Sequence, residues 1–186
     1  SLHGFGQAAA AALEEARERV AVLLGALPEE IVFTGGATEA NNLAIQGAVQ
    51  AARCKPHVVT TALEHESVLA PCQELARRGL AEVTCVAPTP EGIIEAGAVE
   101  AALRKNTVLV SVQYANSEIG TVQPVGQIGK LLERYKILLH TDAVQAAPFL
   151  DCRAQRLHAD LITVSSHKMY GPKGAGALYV KKGTPL

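Results

Sequence analysis

Short runs of apolar residues alternate along the chain with longer stretches whose apolar positions recur every three to four residues. That longer spacing predicts amphipathic helices at residues 7–24, 39–52, 68–78, 99–104 and 125–135. The short runs are apolar at nearly every position, which is typical of strands covered on both faces of a sheet. Seven strands are expected, at residues 31–33, 57–61, 83–86, 108–112, 137–140, 161–164 and 177–180.

The alternation of strands and helices predicts an α/β fold, with three α/β/α layers around a seven-stranded, mainly parallel sheet. The chain has 186 residues, 48% of them hydrophobic, which suits one domain with a sizeable core. Because no repeat, linker or low-complexity tract interrupts the pattern, we assign residues 1–186 to a single domain.

Charge and cysteine usage narrow the possible partners and compartment. A net charge of −1 provides no field that would attract nucleic acid or an anionic membrane. No apolar run approaches the ~20 residues of a membrane span, and the N-terminus lacks a signal-peptide pattern. Cys54, Cys72, Cys85 and Cys152 form neither a C-x-x-C pair nor a zinc-spaced cluster. We therefore expect reduced thiols, no metal site and a cytoplasmic location.

Polar residues follow several of the predicted strands directly. In open α/β sheets, ligands bind beyond the carboxyl ends of the strands, so these segments are the first candidates for a site. They are 34–38 (TGGAT), 63–66 (LEHE), 114–118 (YANSE), 141–145 (TDAVQ) and 165–168 (SSHK).

The first of these segments has the character of a phosphate-binding turn. Small residues let the backbone approach an anion, and the N–H groups of the following helix favour phosphate. An ordinary glycine turn with Thr38 as the helix cap is an equal alternative. The segment is neither a dinucleotide-binding G-x-G-x-x-G nor a Walker loop, which disfavours a plain nucleotide-binding domain.

Three further segments offer side chains suited to an aromatic aldehyde cofactor. Asp142 could pair with a protonated pyridine nitrogen, although a helix-capping Asp is commoner. Lys168 could form a Schiff base, although a solvated surface lysine is commoner, and the hydroxyls of Ser165 and Ser166 could bind phosphate. His65 could stack on the ring, with a satisfied, partly buried histidine as the alternative.

Asn116 could donate a hydrogen bond to a phenolate or carboxylate oxygen, although a turn asparagine is commoner. Each signal is weak alone. Together, at successive strand ends of one sheet, they are the parts that a site for pyridoxal 5'-phosphate (PLP) needs.

The same segments carry a family resemblance that extends over essentially the whole chain. The stretches 33–42 (FTGGATEANN), 64–65 (EH), 115–120 (ANSEIG), 140–145 (HTDAVQ) and 165–174 (SSHKMYGPKG) resemble the cysteine desulfurases and selenocysteine lyases. These are fold-type I PLP enzymes of the class V aminotransferase group. The continuation from Tyr170 is similar to the branch that supplies sulfur for iron–sulfur clusters.

The resemblance implies a role for each matching residue. Lys168 corresponds to the Schiff-base lysine, which also moves protons, and His65 to the histidine stacked on the ring, so these two are the expected catalytic residues. Asp142 corresponds to the partner of the ring nitrogen, with Asn116 and Gln145 near the phenolic oxygen. The phosphate-binding positions correspond to Ala37, Thr38, Ser165 and His167.

The implied reaction converts L-cysteine to alanine and passes the sulfur to an enzyme cysteine as a persulfide. The resemblance also implies a homodimer and a sulfur-acceptor or scaffold protein as partners. No cysteine follows Lys168, whereas the family's persulfide cysteine lies well beyond that lysine. The family's N-terminal arm and C-terminal domain, with its substrate-binding arginine, are also missing. We therefore expect the PLP-binding large domain of a longer enzyme, inactive alone.

Other class V enzymes remain open on the sequence alone, since the distinguishing cysteine loop is not in this chain. They include selenocysteine lyases, kynureninase-like hydrolases and aminotransferases. A PLP-fold scaffold that no longer catalyses is a further alternative.

Overall fold

A computed structural model describes residues 3–186, in which seven strands form one sheet. The strands are β1 (Ile31–Thr34), β2 (His57–Thr61), β3 (Glu82–Val86), β4 (Thr107–Ser111), β5 (Leu138–Asp142), β6 (Leu161–Ser165) and β7 (Gly176–Val180). The helices are α1 (Gly4–Leu24), α2 (Ala37–Gln50), α3 (Glu66–Arg77), α4 (Ala96–Ala102), α5 (Val125–Glu133) and α6 (Ala154–Leu157). The predicted α/β fold and the seven predicted strands are confirmed.

The strands follow the order β1-β7-β6-β5-β4-β2-β3. Strands β3, β2, β4, β5 and β6 are parallel to one another, whereas β7 runs antiparallel to both β6 and β1. The parallel strands therefore bring their carboxyl ends to one edge of the sheet. Since β1 is antiparallel to β7, and β7 to β6, the end of β1 reaches that same edge.

Helices cover both faces of the sheet, which explains the apolar strands. One core contains Val59, Val110 and Ile162 from the sheet, packed with residues of α1, α4, α5 and α6. The other contains their sequence neighbours Val58 and Leu109, packed against α2 and α3. Because successive strand residues point to opposite faces, a sheet covered on both sides needs apolar residues at nearly every position.

The five predicted helices are confirmed, with boundaries that differ from the prediction by up to three residues. Helix α2 begins at Ala37, two residues before the predicted start, and its N-cap residue is Gly36 with no side-chain cap. The alternative of Thr38 as the cap is therefore wrong, because Thr38 already lies in the first turn. Helix α4 begins and ends earlier than predicted, at Ala96–Ala102, and the four-residue α6 was not predicted.

Candidate active site

A cavity of about 1010 Å³ lies at the edge of the sheet where the parallel strands end. It is lined by residues from the five polar segments that follow the strands. Every residue to which the family resemblance assigned a cofactor-binding role contributes to its wall, whereas Ser166, a further candidate for phosphate, does not. The residues that contribute are Ala37, Thr38, His65, Asn116, Asp142, Gln145, Ser165, His167 and Lys168.

The turn from β1 to α2 brings backbone close to the cavity. Gly36 has φ +150°, a conformation that side-chain-bearing residues rarely adopt. A Cβ atom on Gly176 of β7 would lie only 2.7 Å from the carbonyl carbon of Gly36, so the two backbones touch. The first N–H groups of α2 face no helical acceptor, and with Ala37 and Thr38 in the cavity wall they can serve an anion.

Lys168 ends a short 3-10 turn that follows β6 and presents an exposed amine to the cavity. Among residues 3–186 its Nζ atom has no hydrogen-bonding or ionic partner. The buried Ser165 hydroxyl lies 2.9 Å from His167 Nδ1. By contrast, Ser166 does not line the cavity, since its hydroxyl lies within hydrogen-bond distance of the Pro172 and Ala175 carbonyls. The Ser166 hydroxyl therefore packs against the loop that leads from Met169 to Ala175 rather than against the cavity.

Asp142, the last residue of β5, is the buried carboxylate of the site, with 8% of its surface exposed. Its Oδ2 atom accepts a hydrogen bond from Asn41 Nδ2 at 2.7 Å, and Oδ1 accepts one from the Val144 N–H at 3.0 Å. Burial raises the pKa of Asp142, while these two hydrogen bonds and the nearby His65 act in the opposite direction. The bond to Val144 is the local cap-like contact that was the alternative role for this residue.

His65 is the N-cap residue of α3, and its ring is fixed by that role. Its Nδ1 atom accepts a hydrogen bond from the Ser67 N–H at 3.1 Å and lies 2.8 Å from Ser67 Oγ. A nitrogen that accepts from a backbone N–H carries no proton of its own, so the proton of the neutral ring is on Nε2. This capping contact was not anticipated from the sequence.

Asn116 and Gln145 differ in how far their side chains are already engaged. Asn116 Oδ1 accepts from the N–H groups of Glu118 and Ile119, and its Nδ2 donates to the Leu63 carbonyl at 3.1 Å. It therefore forms the predicted alternative, a turn asparagine, while still lining the cavity. The Gln145 side chain has no partner among the described residues and is half-buried.

Glu64 is a cavity-lining residue to which the sequence assigned no role. It is 6% exposed, and its Oε1 atom accepts hydrogen bonds from Thr61 Oγ1 and the Gln113 N–H, both at 2.8 Å. Its Oε2 atom has no partner among the described residues. Desolvation raises the pKa of Glu64 to about 8, so much of this group is protonated near neutral pH.

Within residues 3–186 there is no cluster of histidine, cysteine, aspartate or glutamate side chains that could hold a metal ion. The same part of the chain contains no helix that is long and apolar enough to cross a membrane. The groups that line the cavity include the backbone turn at the start of α2, the Asp142 carboxyl, the His65 imidazole and the Lys168 amine.

The family described as aminotransferase class V matches residues 1–184. The chain therefore belongs to the class V aminotransferase family, as the resemblance indicated. Class V aminotransferases and cysteine desulfurases are PLP-dependent enzymes.

Relatives within the family carry a more specific name. The chain is 44% identical over 187 residues to the cysteine desulfurase IscS of Dictyoglomus turgidum, across 100% of this chain and 47% of that protein. It is 48% identical over 181 residues to the cysteine desulfurase IscS of Vibrio atlanticus, across 97% of this chain and 45% of that protein. The chain thus spans about half the length of the curated relatives it matches.

Solved structures resemble this chain in both fold and sequence. SspA in complex with cysteine superposes with a TM-score of 0.93 at 43% identity, over 97% of this chain and 52% of SspA. DndA from Streptomyces lividans superposes with a TM-score of 0.89 at 38% identity, over 97% of this chain and 50% of DndA. At these identities the likeness covers the sequence as well as the fold.

Proposed function

We propose that this chain is the PLP-binding large domain of a cysteine desulfurase. The observation that carries the proposal is that all nine residues to which the family resemblance assigned cofactor binding line one cavity. The relatives named cysteine desulfurase, and the related structure that contains cysteine, support L-cysteine as the substrate. In the overall reaction, the C–S bond of cysteine breaks and alanine forms. The sulfur joins a thiol, which becomes a persulfide.

The residues present fit PLP. Backbone N–H groups at the start of α2, together with Thr38, Ser165 and His167, would hold the phosphate. Asp142 offers a buried carboxylate to a protonated ring nitrogen, and a cation there would offset the cost of burying that charge. Lys168 offers an amine without competing partners among residues 3–186, which suits covalent attachment of the aldehyde.

When bound, PLP supplies an electron sink for bonds to the substrate α-carbon. The protein residues around it would orient the ring and transfer protons. Asp142 would keep a proton on the ring nitrogen, His65 would pack on the ring and present its Nε2–H, and Lys168 Nζ would carry protons to and from the substrate. Because none of the four cysteines lines the cavity, we propose that the sulfur-accepting thiol is not among them.

We also propose a homodimeric enzyme in the cytoplasm that passes sulfur to an acceptor or scaffold protein, including for iron–sulfur cluster assembly. All four cysteines are free, which suits a reducing compartment. Exposed apolar side chains, among them Phe5, Phe149 and Tyr170, provide surface for a subunit or domain contact.

The attachment site can be tested by chemical labelling. Borohydride reduction of the PLP-loaded full-length enzyme, followed by proteolysis and mass spectrometry, is expected to place a pyridoxyl group on Lys168. Lys173, which also lines the cavity, is the internal comparison. A label on Lys173 in place of Lys168 would show that the assignment is wrong.

A further inference from the structure

Asn41 lies behind the cavity wall, in the first turns of α2, with 0% of its surface exposed. Its amide nitrogen donates to Asp142 Oδ2 at 2.7 Å and to Ser67 Oγ at 2.9 Å. The residue therefore contacts two groups of the site from behind without facing the cavity. No role for Asn41 was expected from the sequence.

The hydrogen bonds of this cluster have a defined direction. A carboxylate can only accept, so the amide group that faces Asp142 must be the NH2. Its second hydrogen goes to Ser67 Oγ, and that hydroxyl is then free to donate to His65 Nδ1, 2.8 Å away. One continuous chain of bonds thus runs from Asp142 through Asn41 and Ser67 to His65.

We propose that Asn41 is a positioning residue, whose amide holds the Asp142 carboxylate and, through Ser67, the His65 ring in one fixed arrangement. This inference rests on the proposed function, since Asp142 and His65 are the groups expected on the two sides of the cofactor ring. Asn41 itself touches no substrate or cofactor, so its effect is exerted through its neighbours.

Two observations favour this role over simple packing. Asn41 Oδ1 has no partner among the described residues, and a buried acceptor without a partner destabilises the fold. Leucine would fill similar space without that cost, so the useful part of the side chain is its pair of donors. One of those donors makes a charge-assisted bond to Asp142, which is the stronger kind.

The donated bond also lowers the pKa of Asp142 against the effect of burial. The other titratable groups near this carboxylate are His65, which lowers its pKa, and Glu64, whose own pKa is raised by Asp142. Removing the amide should therefore favour the protonated form of Asp142.

The test compares Asn41→Leu and Asn41→Asp, both of similar size to Asn41, in the full-length enzyme. The leucine variant has no donor, and the aspartate variant places an acid beside Asp142. The matched control is Ile45→Val, one turn along α2 and also 0% exposed. Affinity for PLP is measured by titrating the cofactor-free protein, and the Asp142 carboxyl is titrated by NMR of 13C-labelled aspartate without cofactor.

We expect both Asn41 variants to bind PLP about ten- to a hundredfold more weakly, the range for loss of a hydrogen bond to a charged group. In Asn41→Leu the Asp142 titration should move to higher pH, while Ile45→Val changes neither quantity. If a variant is unfolded, Asn41→Ser, which also lacks the amide, takes its place.

An Asn41→Leu protein with wild-type PLP affinity and an unmoved Asp142 titration would overturn the inference. So would a loss of stability without a shift in that titration, because packing alone would then explain the residue. If the wild-type protein binds no PLP, the proposed function fails, while the Asp142 titration without cofactor still decides the role of Asn41.

Discussion

Asp142 and Lys168 differ sharply in exposure although they line the same cavity. Asp142 is held by Asn41 and the Val144 N–H, so its position is fixed before any ligand arrives. Lys168 is exposed and has no partner among residues 3–186. A hydrogen-bonded carboxylate and an exposed amine without a partner suit the proposed cofactor site, in which one residue holds the ring in place and the other exchanges protons.

The charge of Asp142 can be tested by Asp142→Asn in the full-length enzyme. The amide cannot stabilise a cationic ring nitrogen, so we expect turnover of cysteine to fall on the order of a hundredfold or more. The fold should persist, because an amide oxygen can still accept the bond from Asn41. Alanine formation and circular dichroism measure the two effects, and wild-type turnover would exclude an electrostatic role.

The strand-end residues could be predicted from the sequence, whereas the residues behind them could not. Asp142 and Lys168 follow apolar strands, and the edge where such strands end is fixed by the fold class. Asn41 and Ser67 lie inside helices, where only the tertiary packing of α2 against α3 shows which side chains meet. A polar residue on an otherwise apolar helix face was the available signal, since Ala40, Ala44 and Ile45 surround Asn41 in sequence.

At the scale of elements, the loop between β2 and α3 is hydrogen-bonded to the segment that follows β4. The Gln113 N–H donates to Glu64 Oε1, and Gln113 Nε2 and Asn116 Nδ2 both donate to the Leu63 carbonyl. This attachment sets the position from which His65 begins α3. The attachment also buries the Glu64 carboxyl group, and burial favours the neutral form of a carboxyl.

Glu64→Gln keeps the acceptor oxygen and removes the ionisable group. The folded-state pKa of Glu64 is about 8, above its ordinary value of 4.5. The stability that the neutral Glu64 carboxyl retains below pH 4.5 is therefore lost in the wild type as pH rises toward about 8. We expect the variant to match the wild type in acid and to exceed it above pH 8, by at most about 5 kcal/mol.

Denaturant unfolding of the cofactor-free protein across this pH range measures the difference. The matched control is Glu74→Gln on the surface of α3, where the hydrogen bond from Arg77 lowers the pKa of the carboxyl. Removing the Glu74 carboxylate should change the stability in the opposite direction. Any loss of stability in Glu74→Gln should therefore appear at higher pH. A Glu64→Gln protein whose stability parallels the wild type at every pH would show that the pKa of Glu64 is not raised in the folded state.

At the scale of the whole molecule, none of the four thiols lines the cavity. Cys72 and Cys152 are buried, and desolvation raises the pKa of each thiol to about 12. Cys54 and Cys85 are exposed, but neither lines the cavity. The proposed sulfur transfer needs a thiolate close to the substrate, so we expect none of these four residues to accept the sulfur.

We therefore expect residues 1–186, expressed alone with PLP and cysteine, to form no alanine or sulfide above the rate of free PLP in buffer. Replacing all four cysteines by serine in the full-length enzyme is the companion experiment, and cysteine turnover should survive it if the folded yield does. Catalytic alanine production by the isolated chain, abolished by one of those replacements, would identify a thiol that we exclude.

The pairing of β1 with β7 joins residues 31–34 to residues 176–179. Within the described sheet β1 has no other neighbour, because it lies at the edge of the strand order. During synthesis from the N-terminus, β1 therefore leaves the ribosome long before β7 is made. The backbone hydrogen-bonding groups of β1 that pair with β7 stay unpaired until residues 176–179 have been synthesised. The turn at Gly36, where we propose that the phosphate binds, contacts Gly176 of β7, so this part of the cavity is completed last. A nascent chain that stops short of β7 would have the buried carboxylate but no finished place for a phosphate.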